Sequence, residues 1–201
     1  QVVKSADHGV YVDGGEEGTI LLPNRYVPEG TEIDDWVDVF LYFDSDDLLI
    51  ATTETPKAFI GTVELLKVID TNRVGAFLDW GMLKELFCPF KEQAYKMKKG
   101  GWYLVHCYLD EKTDRLVASS KTNRFLDNSD LSVALYDEVD LIVSHPSDIG
   151  MNVIINNQHL GLVFSGDIFK DLSVGDQLKG FVKKIRPGNK IDISLAQIGY
   201  R

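Results

Sequence analysis

One pattern recurs three times along the 201 residues and restricts the fold more than any other feature. GVYVDGGEEGTILLP begins at Gly9, GAFLDWGMLKELFCP at Gly75 and GMNVIINNQHLGLVF at Gly150. Each copy closes on a β-rich stretch: LLIATT ending at Thr53, RLVASS at Ser120 and KIDISL at Leu195. After each Gly the residues alternate as in a strand, and a turn then leads to a short apolar strand at Ile20–Leu22, Leu86–Cys88 or Leu162–Phe164. A long β-branched or aromatic strand follows at Trp36–Tyr42, Trp102–Leu109 and Gln177–Ile185. One more strand precedes each Gly, at Val2–Ser5, Thr62–Ile69 and Asp140–Ser144.

The repeat therefore holds five short strands in about 65–75 residues, with Gly, Asp and Asn at turns such as DSDD, DEKTD and RPGN. Closing them into a small barrel removes exposed strand edges. The pattern predicts an all-β chain of three tandem five-stranded barrels with minimal helix, divided at 1–55, 56–123 and 124–201. The competing arrangement is one large β-sandwich. Only LKELF and FKEQAYKMKK read as helical turns, and the joints fall near Thr55-Pro56 and at RFLDNSDL.

Charge is unevenly distributed. Residues 1–55 carry 2 Lys+Arg against 13 Asp+Glu, residues 56–123 carry 11 against 8, and residues 124–201 carry 8 against 10. The net charge of −10 argues against indiscriminate binding of polyanions, yet the middle segment is mildly basic. No uncharged apolar run approaches the ~20 residues that span a bilayer. Cys88 and Cys107 are too few for a disulfide framework or a thiolate metal cage, which favours a reduced, cytoplasmic setting. The opening QVVKSADHGV has neither an initiator Met nor signal-peptide character and reads as a processed or shortened start.

Catalytic fingerprints are absent: there is no G-x-S-x-G, H-E-x-x-H, P-loop or G-x-G-x-x-G. His8, His106, His145 and His159 are scattered without metal-ligand spacing, and the adjacent His106 and Cys107 fall on opposite strand faces. Cys88, inside an apolar strand, reads as a small buried hydrophobe. These features argue against an enzyme, a metal and a cofactor.

GAF followed by a turn, an apolar strand and a closing R-L-x-x-S resembles the RNA-binding OB-fold of the first small-subunit ribosomal protein. LLIATTETP, VIDTNRVGAFLDWG and GWYLVHCYLDEKTDRLVASS, in three consecutive units, resemble the conserved virulence factor B (YitL-like) family across essentially the whole chain. The resemblance implies three tandem OB-fold barrels in a cytoplasmic, bacterial RNA-binding regulator of transcript levels. It also implies a winged-helix domain after the barrels, beyond the last residue of this chain.

Single-stranded RNA is held by aromatic faces that stack on bases and by cations along the backbone. In the middle unit the resemblance puts a stacking aromatic at Phe77 and a polar pair at Asp110 and Arg115. Trp80 ends the Phe77 strand, Phe90 follows the next strand beside Lys91, and His106 and Tyr108 share one face of the long strand. The alternatives are a place in the barrel core for Phe77 and Trp80, a plug at the barrel's end for Phe90, an ordinary sheet-face partner for His106, and solvated surface charges for Lys91 and Arg115. The third unit has Asn152 at the position of the motif's aromatic and Phe164 where the motif often has His, with Lys183, Lys184, Arg186 and Lys190 near its last turn. The first unit keeps an aromatic at Tyr11 but has Asp47 where the motif has Arg, and GGEE and EIDD crowd it with negative charge. Pro23 and Pro89 stand at the motif's His position. The leading expectation is non-catalytic binding of single-stranded RNA through the middle barrel, continued onto the third. The alternative is a protein-interaction scaffold whose acidic first unit docks a basic partner around Asp34, Asp35 and Asp38.

Overall fold

The computed structural model describes residues 1–44 and 46–196. Ser45, within the DSDD turn, and the last residues of the third segment lie outside the described residues. The alternating stretches form fifteen strands. The first set is β1 (Val2–Ala6), β2 (Gly9–Asp13), β3 (Thr19–Pro23), β4 (Phe40–Phe43) and β5 (Leu49–Thr52). The second is β6 (Val63–Thr71), β7 (Gly75–Asp79), β8 (Leu86–Pro89), β9 (Trp102–Asp110) and β10 (Arg115–Ser119). The third is β11 (Glu138–Ser147), β12 (Gly150–Ile155), β13 (His159–Phe164), β14 (Gln177–Arg186) and β15 (Lys190–Ser194).

All three sets use the same order, with the first three strands as a meander, the fifth parallel to the third, and the fourth antiparallel to the fifth. The second and third sets close into barrels through β6–β9 and β11–β14. A register shift in the opening strand, at Val2/Lys4, Val68/Asp70 and Val143/His145, recurs in every set. Such a bulge sharpens local twist and bends a strand.

The first set departs from the expected barrel and remains an open five-stranded sheet. The long strand expected at Trp36–Tyr42 shrinks to Phe40–Phe43. Among the described residues two backbone hydrogen bonds bridge the gap, from Val2 N–H to the Asp35 carbonyl and from Asp34 N–H to the Val2 carbonyl, both 2.8 Å. The cause is local: the Asp35 carboxylate accepts the Glu32 N–H at 2.8 Å and Asp34 adopts φ 76°, a left-handed conformation that no strand continues. Helix is likewise reduced. Among the described residues there is no α-helix, LKELF passes into β8, and FKEQAYKMKK contributes one 3-10 turn at Phe90–Glu92.

Burial follows strand parity. The third barrel packs Val139, Leu141, Val143, Val153, Ile155, Val163, Ile191 and Ile193 inside, and the first sheet packs Val2, Val10, Val12, Ile20, Leu22 and Ala51. By contact the chain forms two compact units. One holds Gln1–Lys57 with Trp80–Glu85, and the other holds Ala58–Asp79 with the described chain from Leu86 onward.

The repeated Gly has a steric cause. A Cβ built on Gly9, Gly75 or Gly150 would lie 2.2, 2.4 or 2.0 Å from the carbonyl oxygen of Leu22, Cys88 or Val163 on the neighbouring strand. No side chain fits there. Gly150→Ala should destabilise the chain by about 1–3 kcal/mol, the usual cost of forcing atoms into filled space. Gly166→Ala, where an added Cβ meets nothing within 4 Å, should leave the urea midpoint within the small range of surface changes.

Candidate nucleic-acid interface

On β7, Ala76 and Leu78 point into the second barrel and Phe77 points out; on β8, Leu86 and Cys88 point in and Phe87 points out. Register sets Phe77 opposite Phe87, with ring centroids 5.3 Å apart and planes 38° from parallel. Gly75 makes room for this arrangement, since its missing Cβ would sit 2.5 Å from Phe87 Cε2. Two half-buried rings therefore lie side by side on the outer wall. The matching cross-strand pair is Tyr11–Leu21 in the first sheet and Asn152–Leu162 in the third barrel, so the second barrel alone places two rings there.

Phe90 follows β8 with half of its surface free (53%), and its N–H bonds the Val74 carbonyl at 2.9 Å. Lys91 is exposed, and its carbonyl accepts the Lys121 ammonium at 2.7 Å. Arg115 opens β10, exposed, in register with Asp110.

Two expected contacts are corrected. Trp80 is only 4% exposed and belongs to the first unit, its ring 5.9 Å from Phe40 and its indole N–H donating to the Lys84 carbonyl at 2.6 Å. Its face is closed to a base. His106 is buried as well, stacked at 4.0 Å on Phe125, with Nδ1 lacking a hydrogen-bond partner among the described residues. Tyr108 shares this cover, 5.1 Å from the same ring. The 3-10 turn Thr122–Phe125 lies over them, and Arg124 sits 4.8 Å above Phe125 while pairing with buried Glu92 at 2.9 Å.

In the third barrel the Arg186 guanidinium lies 5.7 Å from the Phe164 ring and holds buried Asp192 at 2.9 Å. Lys183 pairs with Asp167 at 2.7 Å, and Lys190 is exposed opposite Arg186. Both cysteines are buried, and burial pushes each thiol up to about 12, which leaves them inert as nucleophiles. Phe87 is the residue sequence reasoning missed. Its signal was the alternation in L-F-C-P, which sends Leu86 and Cys88 inward and leaves a second ring outside.

The S1 domain family matches residues 1–54 and 60–121, more than half of the chain. The chain belongs to the S1 domain family. S1 domains are nucleic-acid-binding modules, and the third barrel, outside that match, repeats the same strand order. A curated relative, the uncharacterized protein YitL of Bacillus subtilis, is 34% identical over 90 residues, 42% of this chain and 30% of that protein. The match thus spans under a third of that relative's length. A multidomain protein with nucleic acid binding domains from Streptococcus pneumoniae is similar over 99% of this chain and 72% of its own, at 19% identity and TM-score 0.49. Drosophila Unr CSD456 is similar over 100% of this chain and 96% of its own, at 15% identity and TM-score 0.26.

Burial, with the nearby Arg124 charge, lowers the affinity of His106 for a proton below the ordinary 6.5. The unfolded chain then binds a proton that the folded barrel refuses, so stability is full above 6.5 and falls as pH drops through that value. His106→Phe, which keeps a ring against Phe125, should flatten the fall in thermal midpoint over this window. An unchanged pH profile would assign the loss to other groups.

Proposed function

We propose that this S1-family chain is a non-catalytic, cytoplasmic, bacterial RNA-binding protein that regulates transcript levels. Its principal site for single-stranded RNA is the outer wall of the second barrel. The observation that carries the reading is the Phe77–Phe87 ring pair, 5.3 Å apart on an outward face. Half-buried rings are locked by their neighbours yet offer a face, and a base that stacks there recovers what it loses on leaving its own strand. Exposed Phe90, Lys91 and Arg115 on the same barrel extend this to further base and phosphate contacts. Segment 56–123, the one with excess positive charge, is the binding domain. Segment 124–201 continues the strand path through Phe164, Lys183, Arg186 and Lys190, and acidic 1–55 repels phosphate within the ~8 Å Debye length.

One observation favours a second role for the first unit. Trp36 is 83% exposed among Asp34, Asp35 and Asp38, a ring set in negative charge that suits a basic protein segment.

Phe77→Ala and Phe87→Ala should each weaken binding of a short oligoribonucleotide by roughly tenfold, since one base–ring stack is worth about 1–3 kcal/mol. Phe77→Ala with Arg115→Ala should weaken it further and make its salt dependence shallower. Neutralising Asp34, Asp35 and Asp38 should not weaken it. Fluorescence anisotropy at several salt concentrations reads all of these, and unchanged affinity in the ring variants rejects the site.

A further inference from the structure

The two barrels of the second unit meet along a seam that is itself a small core. Val63, Ile142 and Ile154 are buried there, with Leu104 and Leu126 against them. The Val63 N–H donates to Asn157 Oδ1 at 2.8 Å, and a Cβ on Gly175 would meet Leu65 at 2.5 Å. At the edge of this seam lies a cleft of about 410 Å³. Glu64 enters from β6, Asp140 from β11, Asn157 from the β12–β13 turn, and Gln177 and Lys179 from β14, over an apolar part formed by Ile142 and Leu178.

The polar lining is only partly used. Gln177 Nε2 donates to Glu64 Oε2 at 2.7 Å and the Lys179 ammonium donates to Asp140 Oδ1 at 2.6 Å. Glu64 Oε1, Asp140 Oδ2 and the Gln177 side-chain carbonyl have no hydrogen-bond partner among the described residues. Three acceptors from three strands, two of them carboxylate oxygens, thus remain open around one cleft. Burial pushes the Glu64 carboxyl above its ordinary value despite the Gln177 bond, so its charged form lacks compensation that a cation would supply.

We propose that this cleft receives an arginine side chain from a protein partner, its guanidinium held by Glu64, Asp140 and the Gln177 carbonyl. The planar fork of five donors suits several acceptors and grips a carboxylate with two parallel bonds, which a lysine ammonium does not. The arginine methylenes lie along Ile142 and Leu178, as long cationic side chains do on apolar surface. A nucleotide fits the lining less well, since the lining contains no ring for stacking and a phosphate would face the Glu64 and Asp140 carboxylates, with Lys179, the one cation there, already bonded to Asp140. Among the described residues no three His, Cys, Asp or Glu side chains are grouped to hold a metal ion. The site is separate from the ring pair and does not depend on RNA binding.

The test is an NMR titration of the isotope-labelled chain with N-acetylarginine N-methylamide, beside its lysine and citrulline counterparts and a short guanosine-containing oligoribonucleotide. Arginine should produce saturable shifts at the Gln177 and Asn157 side-chain amides, with lysine weaker and neutral citrulline silent. Glu64→Gln should weaken arginine by about tenfold, the equivalent of one charge-assisted bond. Lys179→Gln should tighten it by releasing Asp140 from its internal cation. Asp140→Asn, at an exposed position, supplies a second loss of affinity should Glu64→Gln disturb the seam. The proposal is overturned if citrulline binds as well as arginine, if Glu64→Gln and Asp140→Asn leave the shifts unchanged, or if only the oligonucleotide saturates these amides.

Discussion

The approach of one strand's carbonyl to the glycine of the next is the constraint on which the rest depends. At Gly9, Gly75 and Gly150 the neighbouring backbone sits where a methyl group would have to be. That contact pins the register of the second and third strands in each unit. Because side chains alternate, a slip of β8 by one residue against β7 would put Leu86 or Cys88 beside Phe77 on the outer face and turn Phe87 into the barrel. In the second unit the same missing Cβ leaves a bed for the Phe87 ring. One absent carbon therefore serves both the fold and the candidate binding face.

Strand content was legible because each strand alternates and the turns carry Gly, Asp and Asn. The closure of the first barrel was not. Trp36, Val37 and Val39 read as strand residues, but the bonding of Asp35 to Glu32 and the left-handed Asp34 compete with the ladder, and a window of β-branched residues does not register that competition. The site was half legible. Outward Phe77 followed from its position after Gly75, whereas Phe87 is visible only once the two strands are paired. Trp80 and His106 misled for a common reason: each is an amphipathic ring on a barrel, and what covers it lies far along the chain or in a neighbouring turn, Phe40 in one case and Phe125 in the other.

Counting charges also overstates what a ligand meets. Arg186 holds Asp192, which is almost wholly buried, and removing that guanidinium would strand a carboxylate in the barrel wall. The Lys183–Asp167 pair is more exposed and of the kind worth about 0–1 kcal/mol, so an incoming phosphate competes for that ammonium on nearly equal terms. Two cations of similar sequence context thus differ in availability.

Trp80 and Lys84 carry a last consequence. They stand between two strands of the middle repeat in sequence, but the indole lies against Phe40 and the ammonium caps the Phe43 and Asp44 carbonyls at 3.0 and 2.9 Å. An amino-terminal fragment excised where the first repeat ends would lose both and leave an aromatic face bare. The periodicity that marks evolutionary copies is therefore a poor guide to where this polypeptide can be divided, because one copy has lent the other a piece of its interior.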